Sequence, residues 1–164
     1  MKTLLLSAVL MTLASNLAAT LASAQVPPAD VTYRNAIRPL WQQKCAACHD
    51  ASSPYLGEFG ENSKKFEAQL KGPRMDTYAD LVFFVGWPDT GALMRRLDDG
   101  KGSGDGKPGN MYQNLGATEP ERQKNLALFK EWVGKDAWKL NRWEARGKVP
   151  AITKADMDKI KVKY

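Results

Sequence analysis

The chain contains a single histidine, His49, which directly follows its only two cysteines, Cys45 and Cys48. Two thiols three residues apart on one tight helical turn can reach the two vinyl groups of a porphyrin. The imidazole of the next residue then lies under the iron and becomes its proximal ligand. Because there is no second histidine, the chain can hold one haem of this kind, and ligation by two histidines is excluded.

Three other uses of these residues have to be weighed. A structural zinc site needs about four ligands. This chain offers only two cysteines and one histidine, which are clustered too tightly to surround a metal. A thioredoxin-like redox pair is typical of a βαβ setting, whereas the flanking segments here have a helical pattern. A disulfide between Cys45 and Cys48 stays open, although so short a loop contributes little and strains the bond. The pattern therefore favours one covalently attached haem c.

The N-terminus has the features of a secretory signal peptide over residues 1–24. A basic residue precedes the apolar run from Leu4 to Leu13, and Ala22-Ser23-Ala24 is a small-residue cleavage site. Such a peptide would direct the chain to the periplasm, where bacterial haem attachment takes place, and would be cleaved after Ala24. An uncleaved membrane anchor is the alternative, since weakly apolar residues continue from Leu17 to Leu21.

Removing residues 1–24 leaves 140 residues, enough for one domain. We expect a core domain at 25–134 and a C-terminal extension at 135–164 that is packed on the core or exposed. The full chain carries 24 basic and 18 acidic residues, and the peptide takes away only Lys2, so the mature charge is +5. This charge suits acidic docking surfaces on redox partner proteins. Because basic and acidic residues are interleaved, nucleic-acid binding is not expected; we expect a monomer without a membrane span after cleavage.

The mature chain reads as a series of helices, which predicts an all-α fold. Asp30 can cap a helix that runs from Val31 toward Cys45, with Pro39 inside it as a kink. A polar helix near 61–71 should end at Gly72-Pro73. Shorter apolar helices follow at the positions 78–85 and 89–97.

Residues 98–110 hold five glycines and one proline and predict a mobile surface loop. A calcium loop is conceivable because Asp98, Asp99 and Asp105 offer oxygen ligands, but the spacing of an EF-hand is absent. Met111 follows this loop. Thr118 and Glu121 then form a capping box for a strong amphipathic helix that should run to Val133.

Residues 31–134 resemble the class I c-type cytochromes, on the C-x-x-C-H motif and on a methionine that precedes the last core helix. The resemblance implies a cytochrome c fold in which N- and C-terminal helices cross beside one haem. It also implies that Met111, 62 positions after His49, is the distal iron ligand. The runs 72–78 and 86–89 resemble those of periplasmic monohaem electron carriers.

Two features depart from the family pattern or leave a choice open. Many members have a proline about a dozen residues after the histidine whose carbonyl holds the imidazole, but here the only nearby proline, Pro54, comes sooner, so the acceptor is not assigned. For the sixth ligand, Met75, a lysine or an open site remain alternatives to Met111. Met94 has the spacing of a core residue.

His/Met ligation would fill both axial positions, which suits one-electron transfer between respiratory redox partners better than substrate chemistry. The alternative is a haem enzyme or small-ligand sensor with an open or displaceable distal site. With His49 on iron no histidine remains for distal proton transfer, so an electron carrier that is not an enzyme is favoured. Arg74 or Trp87 are candidate hydrogen-bond donors to a haem propionate, and Arg95 and Arg96 are candidates for a docking surface.

Overall fold

A computed structural model of the chain describes residues 30–86, 90–139 and 152–164. The expected signal peptide 1–24, residues 87–89 with Trp87, and residues 140–151 of the extension lie outside the described residues. The described ranges form helices and no strands, which confirms the all-α prediction. The α-helices are α1 Arg38–Lys44, α2 Ala46–His49, α3 Leu56–Glu61, α4 Ser63–Ala68, α5 Tyr78–Phe83, α6 Ala92–Leu97, α7 Glu119–Val133 and α8 Lys154–Met157.

The N-terminal helix begins as a π-helical turn, Tyr33–Ile37, and continues as α1. Thr32 caps it: its hydroxyl accepts from the Asn35 amide nitrogen at 3.2 Å, and the Asn35 side chain accepts from the Thr32 nitrogen at 2.8 Å. The expectation that Asp30 is the cap was therefore wrong. The reciprocal pair already satisfies the first free N–H groups of the helix, which leaves no role for the Asp30 carboxylate there.

Helix α7 begins and ends where the sequence predicts. The Thr118 hydroxyl accepts from the Glu121 nitrogen at 3.4 Å, and Gly134 ends the helix with a φ of 104°, in the left-handed region that favours glycine. One face of α7 is buried in the core, and its Trp132 ring lies 6.4 Å from the ring of Tyr33. The N- and C-terminal helices therefore pack against each other.

Residues 152–164 return to these two helices and pack on them. The Val162 nitrogen donates to the Trp132 carbonyl at 2.9 Å. The Lys163 carbonyl accepts from the Tyr33 nitrogen and from the Trp132 indole, both at 2.8 Å. The end of the extension thus packs on the folded core, with Ile160 and Val162 partly buried against it. None of the helices in the three described ranges has the length and apolarity needed to cross a bilayer.

The glycine-rich loop 98–110 has no regular structure, as predicted, but a buried carboxylate organises it. Asp98 is 6% exposed and accepts from the nitrogens of Gly100 and Gly102 at 2.9 and 3.0 Å. It also accepts from the Trp138 indole at 2.8 Å. The Asp98 carboxylate is thus satisfied by protein donors. Within the described ranges no cluster of three or more acidic, cysteine or histidine side chains is arranged to hold a metal.

Candidate haem site

The attachment motif consists of Cys45, which separates α1 from α2, and the single turn of α2 itself. Cys45 interrupts the helix, and its carbonyl accepts from the nitrogens of both Cys48 and His49 at 3.1 Å. Both thiols are half-buried and unpaired. The structure therefore brings Cys45, Cys48 and His49 together as the spacing predicts.

Burial raises the pKa of the Cys45 thiol to about 12, with a smaller contribution from Cys48. At neutral pH this sulfur is protonated and is a poor nucleophile for thiol–disulfide exchange. The local environment therefore argues against a redox-active pair, and the two sulfurs are not bonded to each other in this structure.

His49 is buried, at 8% exposed, and its Nδ1 lies 2.7 Å from the Pro73 carbonyl oxygen. A carbonyl can only accept, so this bond assigns the proton to Nδ1 and leaves a lone pair on Nε2. Burial lowers the pKa of His49, and the bond to Pro73 opposes that shift. A neutral imidazole with a free Nε2 is the state that a metal ligand requires.

The residue that holds His49 was missed by sequence reasoning. Pro73 comes 24 positions after His49, because α3 and α4 are inserted between them. Pro54, the nearer proline, accepts instead from the nitrogen of Arg74 at 2.8 Å. The Gly72-Pro73 pair was predicted to end a helix over 61–71, but α4 already ends at Ala68, so that prediction was wrong. The role of the pair at His49 depends on the return of the chain to the haem motif.

Residues 72–75, which we call the proximal loop, lie directly on the motif. The Gly72 nitrogen donates to the Cys48 carbonyl at 2.8 Å, and the Met75 nitrogen donates to the His49 carbonyl at 3.0 Å. A Cβ on Gly72 would lie 2.3 Å from Cε1 of His49 and 2.8 Å from its Nδ1. Only glycine permits this close approach, which brings the Pro73 carbonyl onto the imidazole.

Residues 109–114, which we call the methionine loop, lie against the C-terminal end of α6. The Gly109 nitrogen donates to the Asp98 carbonyl at 2.8 Å, and the Met111 nitrogen donates to the Arg96 carbonyl at 2.9 Å. The Met111 side chain is half-buried, and its Sδ accepts from the Asn114 side-chain amide at 3.4 Å. The loop thus fixes the backbone of Met111 and leaves its thioether with one weak polar contact.

The other methionines have different surroundings. Met94 is 1% exposed in the core, as its spacing predicts. Met75 belongs to the proximal loop, and its backbone is bonded to that of His49 itself. Met157 lies in α8, 36% exposed.

The arginines singled out in the sequence are placed as follows. The guanidinium of Arg74 binds the Asp76 carboxylate and donates to the Tyr55 hydroxyl at 2.9 Å, so the structure gives it protein partners. Arg96 is exposed and donates to the Asn110 side chain at 3.1 Å, beside the methionine loop. Arg95 is half-buried and donates to the Thr90 carbonyl at 3.0 Å.

The donor set fits a covalently bound haem. Two unpaired thiols on one turn are available for the vinyl groups, and the neutral His49 keeps Nε2 for iron. When bound, the haem supplies a one-electron couple between ferrous and ferric iron. The described residues contribute the attachment turn and the orientation of the imidazole.

Comparisons with known proteins agree with this geometry. A family profile described as PccH cytochrome c matches residues 32–164. The structure of monoheme cytochrome PccH from Geobacter sulfurreducens is similar, with 52% sequence identity and a TM-score of 0.72. The match covers 82% of this chain and 99% of that one. No curated protein matches the chain. The chain belongs to the PccH cytochrome c family and is a monohaem c-type cytochrome with one covalently bound haem c.

Proposed function

We propose that the protein is a periplasmic one-electron carrier between respiratory redox partners, with His49 and Met111 as the axial iron ligands. The observation that carries this proposal is the bond from His49 Nδ1 to the Pro73 carbonyl. It holds the imidazole as the neutral tautomer that binds iron through Nε2. Cys45 and Cys48 provide the two thioether links on the adjoining turn.

The choice of Met111 rests on its surroundings. Its thioether is half-buried at the end of a loop, where a flexible side chain can be directed onto iron. Met94 is enclosed by the core, and Met75 is joined by its backbone to the histidine that occupies the proximal side. Met111 also packs partly against the core, but its loop is bonded to Arg96 at the end of α6 rather than to His49.

An iron with both axial positions filled favours electron transfer over catalysis. The protein's single histidine is engaged in the proximal site, so no imidazole is left for distal acid–base work. A haem enzyme or a ligand sensor would need a distal site that opens.

A redox titration of the holoprotein followed by absorbance tests the carrier against the enzyme. We expect one reversible one-electron transition, a low-spin spectrum in both oxidation states, and no binding of carbon monoxide to the reduced protein at low concentrations. Rapid carbon monoxide binding or peroxidase turnover by the wild-type protein would contradict the proposal and favour the enzyme or sensor.

The periplasmic location rests on the sequence of residues 1–24 alone. The mass of the mature holoprotein should equal that of a chain beginning at Gln25 plus one haem. A chain that keeps residues 1–24 and sediments with membranes would contradict export with cleavage.

The redox partners are proposed to present acidic docking surfaces. The net charge is positive, and exposed Arg96 lies beside the methionine loop, to which it is joined through its carbonyl and its guanidinium. Because steering by charge is screened over roughly 8 Å at physiological salt, electron-transfer rates with an acidic partner should fall as ionic strength rises.

Charge reversal of the exposed arginine tests this docking surface. Arg96→Glu should slow transfer at low salt without altering the haem spectrum. The matched control is Lys161→Glu, on the exposed face of the C-terminal segment. Rates that do not depend on salt, or that favour a basic partner, would contradict the docking proposal.

A further inference from the structure

The peptide unit that joins Pro73 to Arg74 is hydrogen-bonded at both ends. Its carbonyl accepts from His49 Nδ1 at 2.7 Å, and its N–H donates to the Pro54 carbonyl at 2.8 Å. Donation at the amide end polarises the carbonyl and makes it a stronger acceptor. His49, this peptide and Pro54 therefore form one chain of hydrogen bonds.

The side chain of Arg74 holds the same peptide in place. Its Nε and Nη2 bind the two oxygens of Asp76, the second at 3.2 Å, and its Nη1 donates to the Tyr55 hydroxyl at 2.9 Å. The guanidinium carbon also lies 5.2 Å from the centre of the Tyr55 ring. The Arg74 and Asp76 side chains are only 23% and 21% exposed, so solvent screens this pair less than an ordinary surface ion pair.

We propose that Arg74 is a positioning residue that lowers the reduction potential of the haem by keeping the Pro73 carbonyl on His49. The inference rests on the proposed ligation of iron by His49. A well-aligned bond from Nδ1–H increases the basicity of the imidazole, which favours the ferric state. If the bonds from the Arg74 guanidinium to Asp76 and Tyr55 are weakened, the peptide plane between Pro73 and Arg74 can tilt. The tilt weakens the bond from His49 Nδ1 and raises the reduction potential of the haem.

Two variants that keep the net charge test this role. Arg74→Lys retains the positive charge but cannot bind Asp76 and Tyr55 with a planar fork. Tyr55→Phe removes only the hydroxyl and keeps the ring. We expect both to raise the potential, Arg74→Lys the more, with a low-spin spectrum retained. The His49 Nδ1 proton, followed by NMR, should exchange with solvent several-fold faster in Arg74→Lys.

Arg34→Lys is the matched control, since Arg34 also covers a tyrosine ring, that of Tyr164, at 4.3 Å. Arg34 lies on the N-terminal π-helical turn, so Arg34→Lys should leave the reduction potential of the haem and the exchange rate of the His49 Nδ1 proton unchanged. One contrary result is that Arg74→Lys lowers the unfolding temperature while the reduction potential and the exchange rate of the His49 Nδ1 proton stay at wild-type values. In that case the Arg74–Asp76 ion pair only stabilises the fold, and the proposal is overturned. If that variant does not fold, the same readouts on Tyr55→Phe decide. A wild-type spectrum without histidine ligation would instead contradict the proposed function.

Discussion

The proximal loop and the methionine loop hold their proposed ligands in different ways. The imidazole of His49 is fixed by a 2.7 Å bond to Pro73, and the loop around it is bonded to the motif through Gly72 and Met75. In the methionine loop, the backbone of Met111 is fixed by Arg96, but its thioether accepts only a weak hydrogen bond, from the Asn114 amide at 3.4 Å. The comparison indicates that the His49 side chain is oriented in advance and that Met111 is the easier of the two proposed ligands to displace.

Both loops nevertheless depend on a glycine at a close approach. A Cβ on Gly72 would collide with the His49 ring, whereas a Cβ on Gly109 would lie 2.2 Å from the Arg95 carbonyl and 2.3 Å from that of Arg96. Gly72 makes room for the His49 ring, and Gly109 makes room for the C-terminal end of α6. Substituting each should therefore damage a different half of the iron site.

The largest effect is expected from Gly72→Ala. The added methyl group must displace the His49 ring, and overpacking of this kind costs about 1–3 kcal/mol even where the surroundings can relax. Haem attachment should fall sharply, measured as the ratio of haem to protein. Gly57→Ala in α3, where a Cβ meets nothing within 4 Å, is the control and should give wild-type yields. Equal ratios of haem to protein in the two variants would show that haem attachment does not depend on the close approach of Gly72 to His49.

Gly109→Ala should have a smaller and different effect. The Cβ meets backbone carbonyls of α6, so the methionine loop has to move, while Cys45, Cys48 and His49 are left intact. We expect normal haem content with a weakened sulfur-to-iron band in the near infrared. Loss of haem content with an intact band would reverse the roles assigned to the two loops.

A still smaller effect is expected from Asn114→Ala. A weak hydrogen bond to sulfur contributes about 0.5 kcal/mol, or roughly a twofold change in a rate or an equilibrium. Cyanide should therefore bind the ferric protein about twice as fast in this variant as in the wild type. The exposed neighbour provides the control, and Gln113→Ala should leave the rate unchanged. Slower binding in Asn114→Ala would contradict a restraining role for the amide.

Acid should loosen the turn that follows His49. The Asp50 carboxylate accepts from the Ser52 hydroxyl and from Lys71, and these contacts, in that order, lower its pKa to about 2 from an ordinary value of 3.8. A carboxylate with a lowered pKa stabilises the fold above about pH 4, and this contribution is lost as the pH falls through about 2. The unfolding temperature of Asp50→Asn should be below that of the wild type at neutral pH and converge with it toward pH 2. A difference that does not depend on pH would rule out this linkage.

The elements that sequence reasoning could predict are those with local signals. The C-x-x-C-H motif specifies its own turn, and Thr118, Glu121 and Gly134 specify the ends of α7, because capping depends on residues only a few positions apart. The core position of Met94 follows from helical spacing in the same way. The first helix was misplaced at its start only because Asp30 and Thr32 both have capping side chains.

The contacts that were missed join residues distant in the chain. The bond between His49 and Pro73 spans 24 positions and depends on how α3 and α4 return the chain, which no local pattern encodes. Asp98 looked like a candidate cation ligand, yet its carboxylate bonds to Trp138, 40 positions away. In both cases a polar group found a protein partner that became visible only in the folded chain.

The ligation of iron by Met111 is the central claim, and a set of matched substitutions tests it most directly. Leucine has nearly the volume of methionine but no sulfur, so each variant removes a possible ligand with little change in packing. The near-infrared sulfur-to-iron band of the ferric protein should disappear in Met111→Leu and remain in Met75→Leu and Met94→Leu. A band that survives in Met111→Leu, or that disappears only in Met75→Leu, would contradict the account.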